Sequence, residues 1–171
     1  MNRLGPISVG GFNAVRIMGI INTSPESFFK ESVITDSKKL AQKIKEMEDE
    51  GANFVDVGGM STAPYLDTLI SETTEIERIT KAVKIIQKIS NLPISVDTCR
   101  AEVAKAALEL GVDIINDISG LKYDKGMKRI VEKFDPSLIL CAYSKNVVIG
   151  NQLQQVRHLI HESLTDRKSV V

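Results

Sequence analysis

Polar side chains stand at the ends of four apolar runs in this 171-residue chain. Asn22 follows the first run, Asp56 lies inside the second, and Asp97 and Asn116 end the third and the fourth. A carboxylate accepts hydrogen bonds from two donors, whereas a carboxamide both donates and accepts. Brought together, such groups would bind a flat, nitrogen-rich heterocycle.

The apolar runs predict the scaffold that brings these groups together. They are apolar on nearly every residue, which is typical of strands buried on both faces. The runs cover residues 15–22, 53–57, 93–97, 113–116 and 138–142. An amphipathic segment follows each one, and this alternation predicts a parallel sheet with covering helices. Because the carboxyl ends of parallel strands share one face, the four polar side chains are expected to converge there.

Helix signals separate the predicted strands. The first helix is expected to begin at Asp36 or Ser37 and to stop at Gly51. Apolar residues at helical spacing mark this helix and four more: Leu40, Ile44 and Met47; Ile76, Ile79, Val83 and Ile86; Val103, Ala106, Ala107 and Leu110; Met127, Ile130, Val131 and Phe134; and Leu153, Val156, Ile160 and Leu164. Ahead of the first strand, Gly10 and Gly11 predict a hairpin that joins residues 7–9 to residues 13–15.

A simpler interpretation of two of the polar residues stays open at this point. Asp97 and Asn116 could cap helices, since both residue types are favoured at that position. The repetition of the pattern over four strand–helix units favours a binding site.

The segment from Asp56 to Pro64 adds a possible anion site. Its two glycines, Gly58 and Gly59, let a ligand approach the backbone, and Ser61 and Thr62 can donate to phosphate oxygens. Ordinary turns use the same residue types, so this signal alone is weak.

Composition narrows the class of protein. The chain has 22 Lys and Arg, 22 Asp and Glu, and 43% hydrophobic residues, which excludes intrinsic disorder and gives no electrostatic reason to expect nucleic acid or a membrane surface as a partner. No apolar run approaches the ~20 residues of a membrane span, and the N-terminus lacks a signal-peptide layout. With only Cys99 and Cys141, a reducing cytoplasm is the expected setting.

Two further features are interpreted as having no catalytic or metal-binding role. His158 and His161 lie three residues apart on the last predicted helix but lack a third metal ligand nearby, so they are expected to be surface histidines. Cys99 lies two residues after Asp97, and no base close to it in sequence would make it a nucleophile.

Four segments closely resemble the signatures of the dihydropteroate synthase family, and they occur in the family's order. They are residues 17–28, residues 51–62, residues 94–98 and residues 113–120. The resemblance is strong over residues 15–120 and weak beyond them. It implies a TIM (β/α)₈ barrel with an N-terminal hairpin, present here as about five βα units, and a homodimer.

The resemblance also implies an activity and a set of site residues. Members of the family join 4-aminobenzoate to a dihydropterin methyl diphosphate and release diphosphate, in folate biosynthesis. By this resemblance Asp97 and Asn116 bind the pterin ring, Asn22 meets the diphosphate and its Mg²⁺, and Ser61 and Thr62 contact the diphosphate. Asp56 is an adjacent site residue with a less definite role.

The chain departs from the family pattern at three places, of which the first two suggest an archaeal-type or divergent member. Ala63 stands where the family has Arg, residues 29–31 replace Asp-Gly-Gly, and residues 142–144 replace Met-His-Met. The second substrate is therefore expected to be 4-aminobenzoate or a related arylamine such as those of methanopterin-type pathways.

The length of the chain bears on which functions stay open. A barrel of this kind takes about 250 residues, so residues 1–171 are expected to be one pterin-binding domain that is incomplete at its C-terminus. The later strands of the family carry another Asp, a Lys and an Arg-x-His motif that this chain lacks. Two alternatives stay open: a pterin-dependent methyltransferase, and a non-catalytic or truncated pterin-binding protein.

Overall fold

A parallel five-stranded sheet forms the centre of the protein. A computed structural model describes residues 2–23, 36–60, 70–144 and 151–168. The strands are β3 (Met18–Asn22), β4 (Phe54–Gly58), β5 (Ile94–Asp97), β6 (Ile114–Asp117) and β7 (Ser137–Leu140), and they lie in sequence order across the sheet. Each strand pairs in parallel with the strand that precedes or follows it in the chain, which matches the predicted alternation. The wall of a barrel has the same strand order.

Helices cross over between successive strands. They are α1 (Ser37–Asp49), α2 (Glu72–Ile89), α3 (Ala101–Leu108), α4 (Gly126–Phe134) and, after the last strand, α5 (Gln152–Lys168). The helix α1 begins where the sequence predicts, because the Asp36 side chain accepts hydrogen bonds from the backbone N–H groups of Lys38 and Lys39.

The two faces of the sheet have different surroundings. One buried cluster joins the outward strand residues, such as Val57, Val96 and Ile115, to the apolar faces of α1 to α4. The alternate residues of the same strands point to the opposite face, and they include Asp56, Ser95, Asp97 and Asn116. Helices α1 to α4 therefore cover one face only, and the other is the inner face of a barrel wall.

The N-terminal hairpin exists but at a different place from the one predicted. β1 (Arg3–Leu4) pairs antiparallel with β2 (Ile7–Ser8), and the turn runs through Gly5 at a φ of +53°. Gly10 and Gly11 also have positive φ but do not join two paired strands. The Gly5 N–H donates to the Ser137 hydroxyl at 2.8 Å, which ties the hairpin to β7 at the amino end of the sheet.

The predicted start of the first strand of the sheet needs correction, whereas the predicted last helix is confirmed. β3 begins at Met18 rather than at residue 15, because its register with β4 starts at Met18. Ile17 is exposed, and its backbone oxygen accepts the N–H groups of Asn53 (2.7 Å) and Phe54 (3.2 Å) just ahead of that register. The apolar stripe on α5 marks a real helix, yet Leu153, Val156, Ile160 and Leu164 are all exposed. None of the helices in the described part of the chain has the length and apolar character needed to cross a membrane.

Candidate functional site

The inner face of three adjacent strands brings together Asp56, Asp97 and Asn116. Asn116 Nδ2 donates a hydrogen bond of 3.0 Å to Asp56 Oδ2, although 60 residues separate them in the chain. Asp97 lies between β4 and β6 and is in register with Asn116. The predicted convergence is therefore present at the carboxyl ends of β4, β5 and β6.

Asn22 joins the same site through the backbone of Gly58. It is in register with Gly58, which is in register with Asp97. A Cβ atom added to Gly58 would lie 3.1 Å from Asn22 Oδ1 and 3.9 Å from Asp97 Oδ2. Glycine thus leaves open the space between a carboxamide oxygen and a carboxylate oxygen, which a ligand of the inner face could enter.

Burial makes both carboxyl groups weaker acids than usual. Burial, with the nearby negative charges of Asp56, Glu75 and Asp117, raises the pKa of Asp97 to about 7. Burial also raises the pKa of Asp56, and the hydrogen bond from Asn116 acts in the opposite direction. Near neutral pH, Asp97 can therefore hold or release a proton in response to a bound ligand.

Three buried polar atoms of this site lack a hydrogen-bond partner among the described residues. They are Asp56 Oδ1, Ser95 Oγ and Asn116 Oδ1. Buried polar atoms are normally paired, so unpaired ones on a single face indicate a place for a ligand or water. Two of the three are pure acceptors, which suits a ligand that presents N–H groups.

The helix-capping interpretation of Asp97 and Asn116 is wrong. The first N–H of α3, on Ala101, is bound instead by the carboxylate of Asp124 at 2.8 Å. The residue after Asn116 has the structural role: Asp117 accepts hydrogen bonds from Ser119 N–H (2.7 Å), the Ser119 hydroxyl (2.6 Å) and Leu121 N–H (3.1 Å). Asp117 therefore shapes the turn, while Asn116 faces the site.

Ser61 and Thr62, predicted to contact a diphosphate, lie outside the described residues. The same holds for Ala63 and for residues 29–31. Their predicted roles stay predictions.

His158 and His161 are exposed, as predicted, and Cys99 is partly buried. His158 Nε2 lies 3.3 Å from Glu162 Oε1 on exposed α5. No three His, Cys, Asp or Glu side chains gather as a metal site within the ranges that the structure describes. Burial, together with Asp117, raises the pKa of Cys99 to about 12, which makes its thiol a poor nucleophile.

Sequence reasoning missed two residues near the site. Ser95 lies inside an apolar run, and its register with Asp56 is visible only from the strand pairing. Glu75 has the position of an ordinary acidic residue in the first turn of a helix, yet it is 1% exposed and accepts hydrogen bonds from Thr98 and Arg100. The sequence signal for this burial was the position of Glu75 on the apolar side of α2, one turn before Ile79.

The chain is similar in sequence to dihydropteroate synthases. One from Clostridium beijerinckii is 36% identical over 152 residues, which cover 89% of this chain and 56% of that protein. One from Streptococcus pyogenes is 36% identical over 154 residues and is covered over 57% of its length. The chain therefore spans little more than half the length of the curated relatives that it matches.

Solved structures show the same barrel. A dihydropteroate synthase of Coxiella burnetii in complex with pteroic acid has a TM-score of 0.81 at 30% identity, covering 94% of this chain and 58% of that one. A Clostridium difficile dihydropteroate synthase, solved in the presence of pteroic acid, gives 0.80 at 31% identity, covering 91% and 59%. The five strand–helix units and the hairpin thus form part of a dihydropteroate synthase-type TIM barrel. The family model described as pterin binding enzyme matches residues 18–170, so the chain belongs to the pterin binding enzymes.

Proposed function

We propose that this chain carries the pterin side of a dihydropteroate synthase. The reaction joins a dihydropterin methyl diphosphate to 4-aminobenzoate or a related arylamine and releases diphosphate. The observation that carries the proposal is the grouping of Asp56, Asp97 and Asn116 on the inner face. Beside Asp97 lie two buried acceptors that have no hydrogen-bond partner within the described ranges. The sequence similarity to dihydropteroate synthases supports it.

In this proposal the inner face recognises the pterin by hydrogen bonds. A pterin edge presents ring N–H and amino donors next to ring nitrogen and carbonyl acceptors. Asp97 and the unpaired Asn116 Oδ1 would accept from the donors, and the Asn116 amide already orients Asp56. A site built to pair such groups rejects rings that lack them, because its buried acceptors would then stay unsatisfied.

The same carboxylates suit the charge that develops during the reaction. As the bond between the pterin methylene carbon and the diphosphate oxygen breaks, positive charge spreads over the methylene and the ring. The arylamine nitrogen forms the new bond to that carbon and loses a proton. In their ionised forms, Asp56 and Asp97 would stabilise this cation by position and charge. The burial that raises both pKa values also strengthens this interaction, because little water screens it.

We propose Asn22, Ser61 and Thr62 as the diphosphate end of the site, with Mg²⁺ as the cofactor at Asn22. The described residues fit such an ion in a limited way: a carboxamide oxygen and a carboxylate oxygen flank Gly58, and no cluster of three carboxylates is present among them. Mg²⁺ binds one or two protein oxygens and completes its shell with water and phosphate oxygens. When bound, the ion would neutralise charge on the departing diphosphate.

Some proposals rest on the family resemblance and on composition. We propose a homodimer that works in the cytoplasm, where the two free cysteines would stay reduced. Residues 1–171 would then be one pterin-binding domain to which further strand–helix units add the rest of the barrel. The arylamine would be 4-aminobenzoate or a related compound.

Calorimetry with a dihydropterin methyl diphosphate and Mg²⁺ tests the proposal. The 171-residue chain should bind the ligand, and Asp97→Ala should weaken binding at least tenfold, whereas the exposed control Asn91→Ala should not. Absence of binding by the unaltered chain would reject the proposal. Methyl transfer from methyl-tetrahydrofolate to a corrinoid acceptor would favour the methyltransferase alternative instead.

A further inference from the structure

Glu75 is a buried carboxylate that the proposed reaction does not use. It lies in the first turn of α2, and 1% of its surface is exposed. An ionised carboxylate that is taken out of water is stable in the fold only if it is paired and hydrogen-bonded. Its partners therefore show which part of the protein depends on it.

Both carboxylate oxygens of Glu75 bind the segment that follows Asp97. Thr98 Oγ1 donates to Oε1 at 2.8 Å, and Arg100 Nη1 donates to Oε2 at 2.8 Å. The Arg100 side chain is 12% exposed, so this ion pair is shielded from water. Thr98 in turn accepts the Arg100 N–H at 3.2 Å, which closes a small network over residues 98–100.

The network also reaches the strands on both sides of β5. The Thr98 N–H donates to the backbone oxygen of Asn116 at 3.1 Å. On the other side, a Cβ atom added to Gly59 would lie 3.0 Å from Glu75 Cγ, so the backbone after β4 rests directly on this side chain. Glu75 thus touches the carboxyl ends of β4 and β5 and, through Thr98, is linked to that of β6.

We propose that Glu75 is a positioning residue for pterin binding. By holding Thr98 and Arg100 it fixes the end of β5, and so it places Asp97 relative to Asn116. The inference rests on the proposed function for its ligand, but its geometry concerns the protein alone. Glu75 would thus influence pterin binding from the helix side of the sheet, away from the ligand.

Glu75→Gln is the informative substitution, because it keeps the size of the side chain and the acceptor for Thr98 but removes the charge that pairs with Arg100. Glu102→Gln is the matched control: it removes the carboxylate of an exposed ion pair, Lys105–Glu102 at 3.2 Å, on the same helix that Arg100 precedes. The double variant Glu75→Gln with Arg100→Met removes both charges and relieves the unpaired guanidinium.

Binding is measured at a temperature at which every variant is folded, and thermal stability is measured separately. Calorimetry with a 7,8-dihydropterin that lacks the diphosphate should give an affinity at least fivefold weaker for Glu75→Gln and unchanged for Glu102→Gln. The double variant should regain thermal stability without regaining affinity. Unchanged affinity in Glu75→Gln, or full recovery of affinity in the double variant, would overturn the proposal.

Amide hydrogen exchange supplies a readout that needs no ligand. Glu75→Gln should exchange the N–H of Thr98 at least tenfold faster than the unaltered chain, while the N–H of Val57 should keep its rate. Unchanged exchange at Thr98 would overturn the positioning role. If the unaltered chain binds no pterin, the proposed function fails, and the exchange result alone decides whether Glu75 fixes this segment.

Discussion

Asn116 on β6 donates a hydrogen bond of 3.0 Å to Asp56 on β4 across the whole width of the intervening strand β5. The bond ties together two strands that share no backbone pairing. It also gives the Oδ2 atom of Asp56 a donor, whereas Oδ1 has no hydrogen-bond partner within the described residues.

Removal of this donor should destabilise the fold as well as weaken binding. In Asn116→Ala, Asp56 Oδ2 would become a buried acceptor without a partner, which costs about 1–3 kcal/mol. Urea denaturation should show a loss of that size. Asp56→Asn in the Asn116→Ala background should recover part of it, because a neutral amide is less costly to bury. Equal stabilities for the single and double variants would contradict this account.

The pKa of Asp97 predicts a pH dependence of stability. Below pH 3.8 the carboxyl group is protonated in both states, whereas between 3.8 and about 7 only the unfolded chain releases the proton. The free energy of unfolding should therefore fall as the pH rises through this interval. Asp97→Asn cannot ionise, so its Tm advantage over the unaltered chain should grow from pH 4 to pH 8. The exposed control Asp49→Asn should show no such trend, and a constant difference for Asp97→Asn would refute the prediction.

Gly58→Ala should block the site. The new Cβ atom would lie 3.1 Å from Asn22 Oδ1, within the gap between that oxygen and Asp97. We expect affinity for a dihydropterin methyl diphosphate to fall at least tenfold in calorimetry. Gly126→Ala is the control, because its Cβ atom would lie 3.0 Å from Ala101 Cβ, at the start of α4. It should lower the Tm but leave affinity intact; similar affinity losses in both variants would indicate general disruption.

Two buried serines should respond differently to alanine. Ser119 donates to Asp117 at 2.6 Å and accepts from the Lys122 N–H at 3.2 Å, so Ser119→Ala should cost about 1–3 kcal/mol of unfolding free energy. Ser95 is fully buried, and its hydroxyl has no hydrogen-bond partner in the part of the chain that the structure describes, so Ser95→Ala should leave stability nearly unchanged. A large loss for Ser95→Ala in urea denaturation would reveal a partner, such as a bound water, for its hydroxyl.

Cys99 should be nearly inert despite its place two residues after Asp97. Burial and Asp117 raise its pKa to about 12, so little thiolate exists at pH 8. Iodoacetamide should modify the exposed Cys141 first, and mass spectrometry of peptides would show the order. Cys99→Ala should bind pterin as the unaltered chain does. Rapid modification of Cys99 would contradict the burial on which the prediction depends.

The sequence predicted the elements better than their contacts. Asp36 capped α1 as expected, and the strand-end positions of Asp97 and Asn116 followed from local patterns. The hairpin was misplaced because Gly5 and the Gly10–Gly11 pair offer the same positive φ, and only pairing across the turn distinguishes them.

The partners of the site residues required the fold. Nothing local to Asp56 indicates that Asn116, 60 residues later, donates to it. Likewise, Glu75 has the sequence context of a helix-dipole residue, and its burial follows from the approach of Gly59 and Arg100 in three dimensions. Pairings of this kind depend on strand register, which a single sequence specifies only through the whole packed sheet.

The separation of the two sheet faces has a consequence for how this protein can evolve. Along β5, Ile94 and Val96 face the helices, whereas Ser95 and Asp97 face the site. Neighbouring residues in the chain are therefore under different selection. The helix-facing residues maintain the folded state, and the site-facing residues determine which molecule is recognised. Substitutions that alter ligand preference can accumulate at every second position while the helix-facing positions between them stay intact.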